Sequence, residues 1–308
     1  LGAAAALCAI TVSTAVAQDV TLKLHQFLPP QSVVPSQILD VWADKVEADS
    51  GYSIKVERYP SMQLGGKPPE LIDQAIDGVV DVVWTVVGYT PGRFPRTEVF
   101  ELPFMLTNAE DTSCAYSKMF DKRMKDTEFK DLKVIGTWVH GPGVIHSNRP
   151  VETVADMKGL IVRGASRTVT SMLSELGATS VGMPVPAVPE ALSKGVIDAT
   201  TIPWEVTGAL KVPELVKNHT EFGGQALYTL TFVLAMNKAK YESLSDEMKA
   251  VIDSNSGLMF SKFAGRVQQA ADAPNRKVAE EAGNTIITLS EAQVEEWKKA
   301  AAPAVASW

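Results

Sequence analysis

Cysteine is almost absent from this chain. There are two, Cys8 and Cys114, and a leader reading given below removes the first. A single cysteine cannot close an internal disulfide, so packing must hold the fold. Histidine is also scarce. The four, His25, His140, His146 and His219, have no metal-ligand spacing, and the remaining cysteine has no cysteine partner for a thiolate site. No metal or other cofactor is therefore expected. The chain lacks Gly-x-Ser-x-Gly, a phosphate-binding loop, a dinucleotide fingerprint and His-Glu-x-x-His. Catalysis by residues distant in sequence stays open. Positive charge is in deficit: 29 Lys and Arg against 36 Asp and Glu give a net charge of −7, with no long basic block. That argues against nucleic acid or an anionic membrane as partner. It leaves room for a small anion at one local positive site.

What is present begins with an uncharged start. "LGAAAALCAITVSTAVAQD" carries no charge before Asp19 and contains Ala15-Val16-Ala17, the small-x-small pattern read by a signal peptidase. Residues 1–17 are expected to be a signal peptide, truncated at its start, with cleavage after Ala17 and the periplasm as destination. The run is short for a membrane span, which needs about 20 apolar residues. The mature chain then has room for one large domain or two of about 150 residues.

Two periodicities alternate along it. "DVTLKLHQF" (19–27) sets Val20, Leu22 and Leu24 on one face of a strand. A helix is expected over 36–51, capped by Ser36 and stopped at Gly51, then a strand over 52–60. Residues 67–78 predict a helix that opens on prolines and ends at Gly78, and 79–84 a covered strand. Further strands are expected at 132–139, 143–147, 160–163 and 284–288. The C-terminal third reads as helical scaffold, broken at Pro274, with a capping box at Ser290-x-x-Gln293. This is an α/β pattern.

One echo bears on function. "AIDGVVDVVW" (75–84) and "ALSKGVIDATTIPW" (191–204) both stop a helix at glycine, form a strand and end in tryptophan. They suggest two lobes of similar build whose strand ends, with Trp84 and Trp204, face one cleft. The loop after Trp84 offers Tyr89, Arg93 and Phe94, and His140 opens a turn between strands. In "GLIVRGAS" (159–166) an arginine, Arg163, ends an apolar strand. Buried there it needs an anion. The anion is either a carboxylate of the protein or one from outside, and a guanidinium suits both because its parallel donors match a carboxylate.

The stretches "YPSMQLGG" (59–66), "GVVDVVWTVVGYTPGRFP" (78–95), "ELPFM" (101–105), "SNRPVETVADMKGLIVRGAS" (147–166) and "FVLAMNKAKYESLSDEMKAVID" (232–253) resemble the solute-binding subunits of tripartite ATP-independent periplasmic (TRAP) transporters, the DctP family. The likeness runs in order over essentially the whole mature chain. It implies a two-lobed flytrap with hinge strands and a long lobe-crossing helix. Lobe one would take 18–140 plus 229–268, and lobe two 141–228 plus 269–308. The family's carboxylate-binding arginine falls in Lys-Gly-Leu-x-x-Arg, here Lys158 to Arg163. The matching loops bring Phe27, Trp84, Thr85 and Thr200 to Trp204, including Thr201, to the cleft. The implied partners are a small organic acid and the membrane subunits of an ion-driven permease, with the binding protein a monomer. The sialic-acid branch has a second arginine where this chain has Gly143, and Phe27 and Val185 replace polar positions. This points to a smaller or more apolar acid, such as an aromatic, hydroxy or keto acid. A secreted enzyme acting on small acids and a sensory binding module are the competing readings.

Overall fold

Residues 20–308 are described in a computed structural model; the expected signal peptide, with Cys8, lies outside them. In the first strand Leu22 and Leu24 are buried while Thr21 and Lys23 are exposed, as the period of two requires. The described residues hold eleven strands in chain order: β1 (Val20–His25), β2 (Ile54–Tyr59), β3 (Val82–Val86), β4 (Leu132–Val139), β5 (Gly143–Ser147), β6 (Ile161–Gly164), β7 (Thr179–Gly182), β8 (Ala199–Pro203), β9 (Asn218–Glu221), β10 (Thr231–Asn237) and β11 (Thr285–Thr288). They form two sheets, ordered β2-β1-β3-β10-β4 and β11-β9-β5-β8-β6-β7. Each sheet is mixed: β1 runs parallel to β2 and β3, β10 antiparallel to β3 and β4, and β5 antiparallel to β8 and β9. The result is an α/β architecture built on two mixed sheets, as the sequence pattern predicts.

The chain passes between the sheets from β4 to β5, and again from β9 to β10. The helix Leu258–Ala270 packs on β4 and on the helix Ala109–Met119 beside the first sheet, and the helix Asp272–Glu281 continues it toward the segment after β8. The Glu205 backbone N–H donates to Asp272 Oδ1 at 2.9 Å, anchoring that crossing.

Several expectations shift. The strand expected at 79–84 runs over Val82–Val86, because Asp81 ends the turn: its carboxylate takes the Lys23 N–H at 2.8 Å. Ser36 is not an N-cap. Helical turns begin at Val34 with Pro35 in the first turn, where its missing N–H costs nothing, and the Ser36 hydroxyl donates back to Ser32 O at 2.8 Å. The expected break at Pro274 falls instead at Ala271, leaving Pro274 in the first turn of the next helix. β7, β9 and β10 were not expected. β10 is an unbroken buried run, Thr231–Asn237, paired on both edges. Without alternation it carries no strand signal of its own.

Candidate functional site

β6 ends on Arg163 and Gly164, between β7 and β8. Arg163 is 1 % exposed. Its Nε donates to Met183 O at 2.9 Å and its Nη1 to Thr201 O at 3.1 Å. Its Nη2 is buried with no hydrogen-bond partner, and no ion pair among the described residues includes it. The protein thus orients the guanidinium with two carbonyls and supplies no counter-charge. Such a site favours an anion strongly, because an unpaired buried charge costs several kcal/mol even after the surroundings relax.

Arg163 lines a narrow cavity of about 30 Å³ with residues from both sheets. One wall is aromatic. Phe27 stacks on Trp84 at 4.5 Å between ring centroids, and Trp84 stacks on Phe232 at 5.5 Å, with interplanar angles of 20° and 21°. Phe232 lies opposite Val86 and Trp138 in the ladders of β10, so strand register places the rings together. Val185, Ile202, Val206 and Leu230 complete an apolar lining. A few polar groups among apolar walls is the usual make-up of a small-molecule site.

The polar groups are few and strongly constrained. The Tyr89 hydroxyl accepts the Val185 N–H at 2.8 Å, which ties the loop after β3 to the segment after β7. Burial raises its phenol, and the charge of Arg163 opposes that shift. Tyr228, buried beside Gly143, is pushed up to about 12 by burial, again against the pull of Arg163. His140 has a determined tautomer. Its Nδ1 faces Gly141 O and, at 3.2 Å, Thr229 Oγ1, whose own proton goes to His140 O at 2.8 Å. Nδ1 therefore carries the hydrogen, and Nε2 presents a lone pair with no partner. Burial, helped by the Arg163 charge, lowers this histidine to about 4, so the ring is neutral.

A second chain of hydrogen bonds ends in the cavity. The Trp138 indole N–H donates to Gln268 Oε1 at 2.8 Å, which turns the amide so that Gln268 Nε2 donates to Glu205 Oε1 at 2.7 Å. Glu205 Oε2 is buried without a partner, and burial pushes the carboxyl up to about 7. Another cleft, on the first sheet's side, is lined by residues from β1, β2 and the first helical turns. In it Arg58 is paired with Asp44 and Glu47.

Residues 25–308 match the bacterial extracellular solute-binding proteins, family 7. The chain belongs to this family. A TRAP solute-binding protein from Rhodoferax ferrireducens T118, solved in complex with copurified benzoate, is 54% identical, with a TM-score of 0.92 over 94% of this chain and 90% of that one. A marine metagenome TRAP solute-binding protein, described as specific for aromatic acid ligands and solved with 3-hydroxybenzoate, is 50% identical, with a TM-score of 0.92 over 94% and 91%. One from Bordetella bronchiseptica, with bound (R)- and (S)-mandelate, is 28% identical, with a TM-score of 0.87 over 94% and 91%. The family and these neighbours are binding proteins of transporters, which sets aside the secreted-enzyme reading.

In this TRAP solute-binding protein, Phe27, Trp84, Tyr89, His140 and Arg163 come together around the cavity. Thr85, Thr201 and Trp204 do not line it. Thr85 alternates with Trp84 and Val86 on β3, and its hydroxyl donates to Pro68 O at 3.5 Å. Thr201 acts through its carbonyl, which holds Arg163 Nη1. Trp204 packs edge-on against His146 and donates to Glu221 Oε1 at 2.8 Å. The echo between 75–84 and 191–204 therefore brings one tryptophan to the cavity, not two. Glu205, Gln268 and Phe232 were missed. A lone carboxylate inside "TTIPWEV" was the one local signal available. Gly143, where the sialic-acid branch has arginine, lies against the Tyr228 ring, and a Cβ there would come within 2.3 Å of it.

Proposed function

We propose that this chain captures a small aromatic monocarboxylate in the periplasm and presents it to an ion-driven TRAP permease. The observation that carries this reading is Arg163: a buried guanidinium with no carboxylate from the protein, its Nη2 unpartnered, in an aromatic-walled cavity. A ligand carboxylate supplies the missing charge in a bidentate or near-bidentate pair. The flat ring lies along Phe27, Trp84 and Phe232. The ligands of the three related structures support the same class.

Binding is coupled to closure of two lobes, 18–140 plus 229–268 and 141–228 plus 269–308. Contacts across the cavity, such as Tyr89 to Val185, form only when the lobes meet, so a ligand touching both shifts the population to the closed form. The protein acts as a monomer, exported by a leader cleaved after Ala17.

The test is a titration with benzoate and with benzamide, which has the same shape and no charge. Benzoate raises the melting temperature and benzamide does not. A ligand at about a thousand times its dissociation constant adds roughly 4 kcal/mol, several degrees for a chain of this size. Equal shifts with both, or a shift with neither, contradict the reading.

A further inference from the structure

Two acceptors in the cavity have no donor from the protein. His140 Nε2 is a lone pair by the tautomer argument, because both partners of Nδ1 can only accept from it. Glu205 Oε2 is the free oxygen of a carboxyl whose other oxygen is taken by Gln268. The Trp138 indole, a donor only, fixes that amide's orientation, so Gln268 cannot turn to serve as a further acceptor for a ligand. His140 and Glu205 are 1 % and 4 % exposed, and both line the cavity with Arg163.

A carboxylate satisfies Arg163 and does nothing for either acceptor. An unsubstituted ring leaves both buried without a hydrogen bond, so their desolvation goes uncompensated. We propose that the site selects an aromatic monocarboxylate that also carries a hydroxyl, and that the hydroxyl's one proton goes to Glu205 Oε2 or to His140 Nε2 according to its ring position, making these two the specificity-determining acceptors. This rests on the reading of Arg163 as the carboxylate anchor. Sites built to bond a hydroxyl reject analogues lacking it far more strongly than apolar pockets discriminate by size.

The experiment is calorimetric titration at pH 8 with benzoate, the three monohydroxybenzoates, mandelate and the methyl ether of the best hydroxy acid. The wild type, Glu205→Leu, His140→Phe and the double variant are compared. In the wild type at least one hydroxy acid binds 10-fold or more tighter than benzoate, and methylation removes the advantage. For a given hydroxy acid, the single variant that removes the acceptor used reduces the ratio of benzoate to hydroxy-acid dissociation constants, and the double variant brings it to about one. The ratio is read within each variant, so a general loss of affinity does not move it. Glu205→Gln, nearly isosteric, serves if Glu205→Leu does not fold. The proposal is overturned if no hydroxy acid outbinds benzoate, if the methyl ether binds as well as its parent, or if the ratio survives in the double variant. Benzoate binding with no hydroxyl advantage overturns this inference alone. No binding of any acid overturns the Arg163 reading with it.

Discussion

Arg167 and Glu98 join the two halves of the molecule in a bidentate pair. Arg167 Nε donates to Glu98 Oε1 at 2.6 Å and Nη2 to Oε2 at 2.8 Å. Arg167 opens the helix that follows β6, four residues beyond Arg163. Glu98 lies in the turn Pro95–Glu101 beside the first sheet, and Trp308 Nε1 also donates to its Oε2 at 3.2 Å. The pair ties the helix after β6, on the second sheet, to the segment after β3, on the first. Because the Arg167 side chain is about half exposed, solvent screens the interaction.

Glu98→Gln is therefore expected to act on closure more than on folding. Ligand dissociation quickens several-fold, association changes little, and unliganded stability moves by about 1 kcal/mol or less. Stopped-flow displacement of bound ligand measures both rates. Unchanged dissociation contradicts a latch role.

Gly88 lies close against Ser166 of the other half. A Cβ there would lie 2.6 Å from the Ser166 Cβ, and its φ is not positive, so alanine strains the contact and not the backbone. Gly88→Ala keeps the folded state by holding the lobes apart, and affinity falls 10-fold or more. Small-angle scattering with saturating ligand shows a larger radius of gyration than wild type. Wild-type affinity in this variant contradicts closure over that contact.

Stability should fall in acid through the pair His146 and His219. His146 Nε2 donates to Ile202 O at 3.2 Å, so its Nδ1 accepts from His219 Nδ1 at 2.7 Å, and Asn284 Nδ2 donates to His219 Nε2 at 3.0 Å. Both rings are neutral in this chain of bonds. Burial holds His146 well below the usual range and lowers His219 to about 4. The unfolded chain takes up protons near pH 6.5 that the folded one refuses. Their contribution is complete above about pH 6.5 and is lost as the pH falls toward 4. Glu101 and Glu205, raised by burial to about 7, act in the opposite sense: they disfavour the folded state as pH rises from the ordinary carboxylate range toward 7. Urea midpoints of wild type and His219→Gln across pH 4–8 separate the two. The variant shows a shallower loss below pH 6.5, and parallel curves contradict the assignment.

The cavity was legible in the sequence where a residue's chemistry clashed with its surroundings. Arg163 at the end of an apolar strand and the aromatics Phe27, Trp84 and Tyr89 stood out locally. The resemblance to a known family supplied which arginine mattered and in which fold. Phe232 was hidden because β10 is buried on both faces and has no alternation. Gln268 was hidden because one glutamine among several on a helix carries no signal; its role comes from Trp138, 130 positions away. Trp204 misled because a repeat of residue types does not fix which face a side chain takes, and Glu221 claims its indole.

The most direct measurement is calorimetric titration of Arg163→Met with benzoate beside the wild type. Methionine fills much of the arginine's volume without charge, so the unliganded variant folds with equal or higher thermal stability, having lost a buried and unpaired cation. Benzoate affinity falls at least about 100-fold, because truncating one partner of a buried charge pair costs about 3–5 kcal/mol. A folded variant that binds benzoate within a few-fold of wild type contradicts the account.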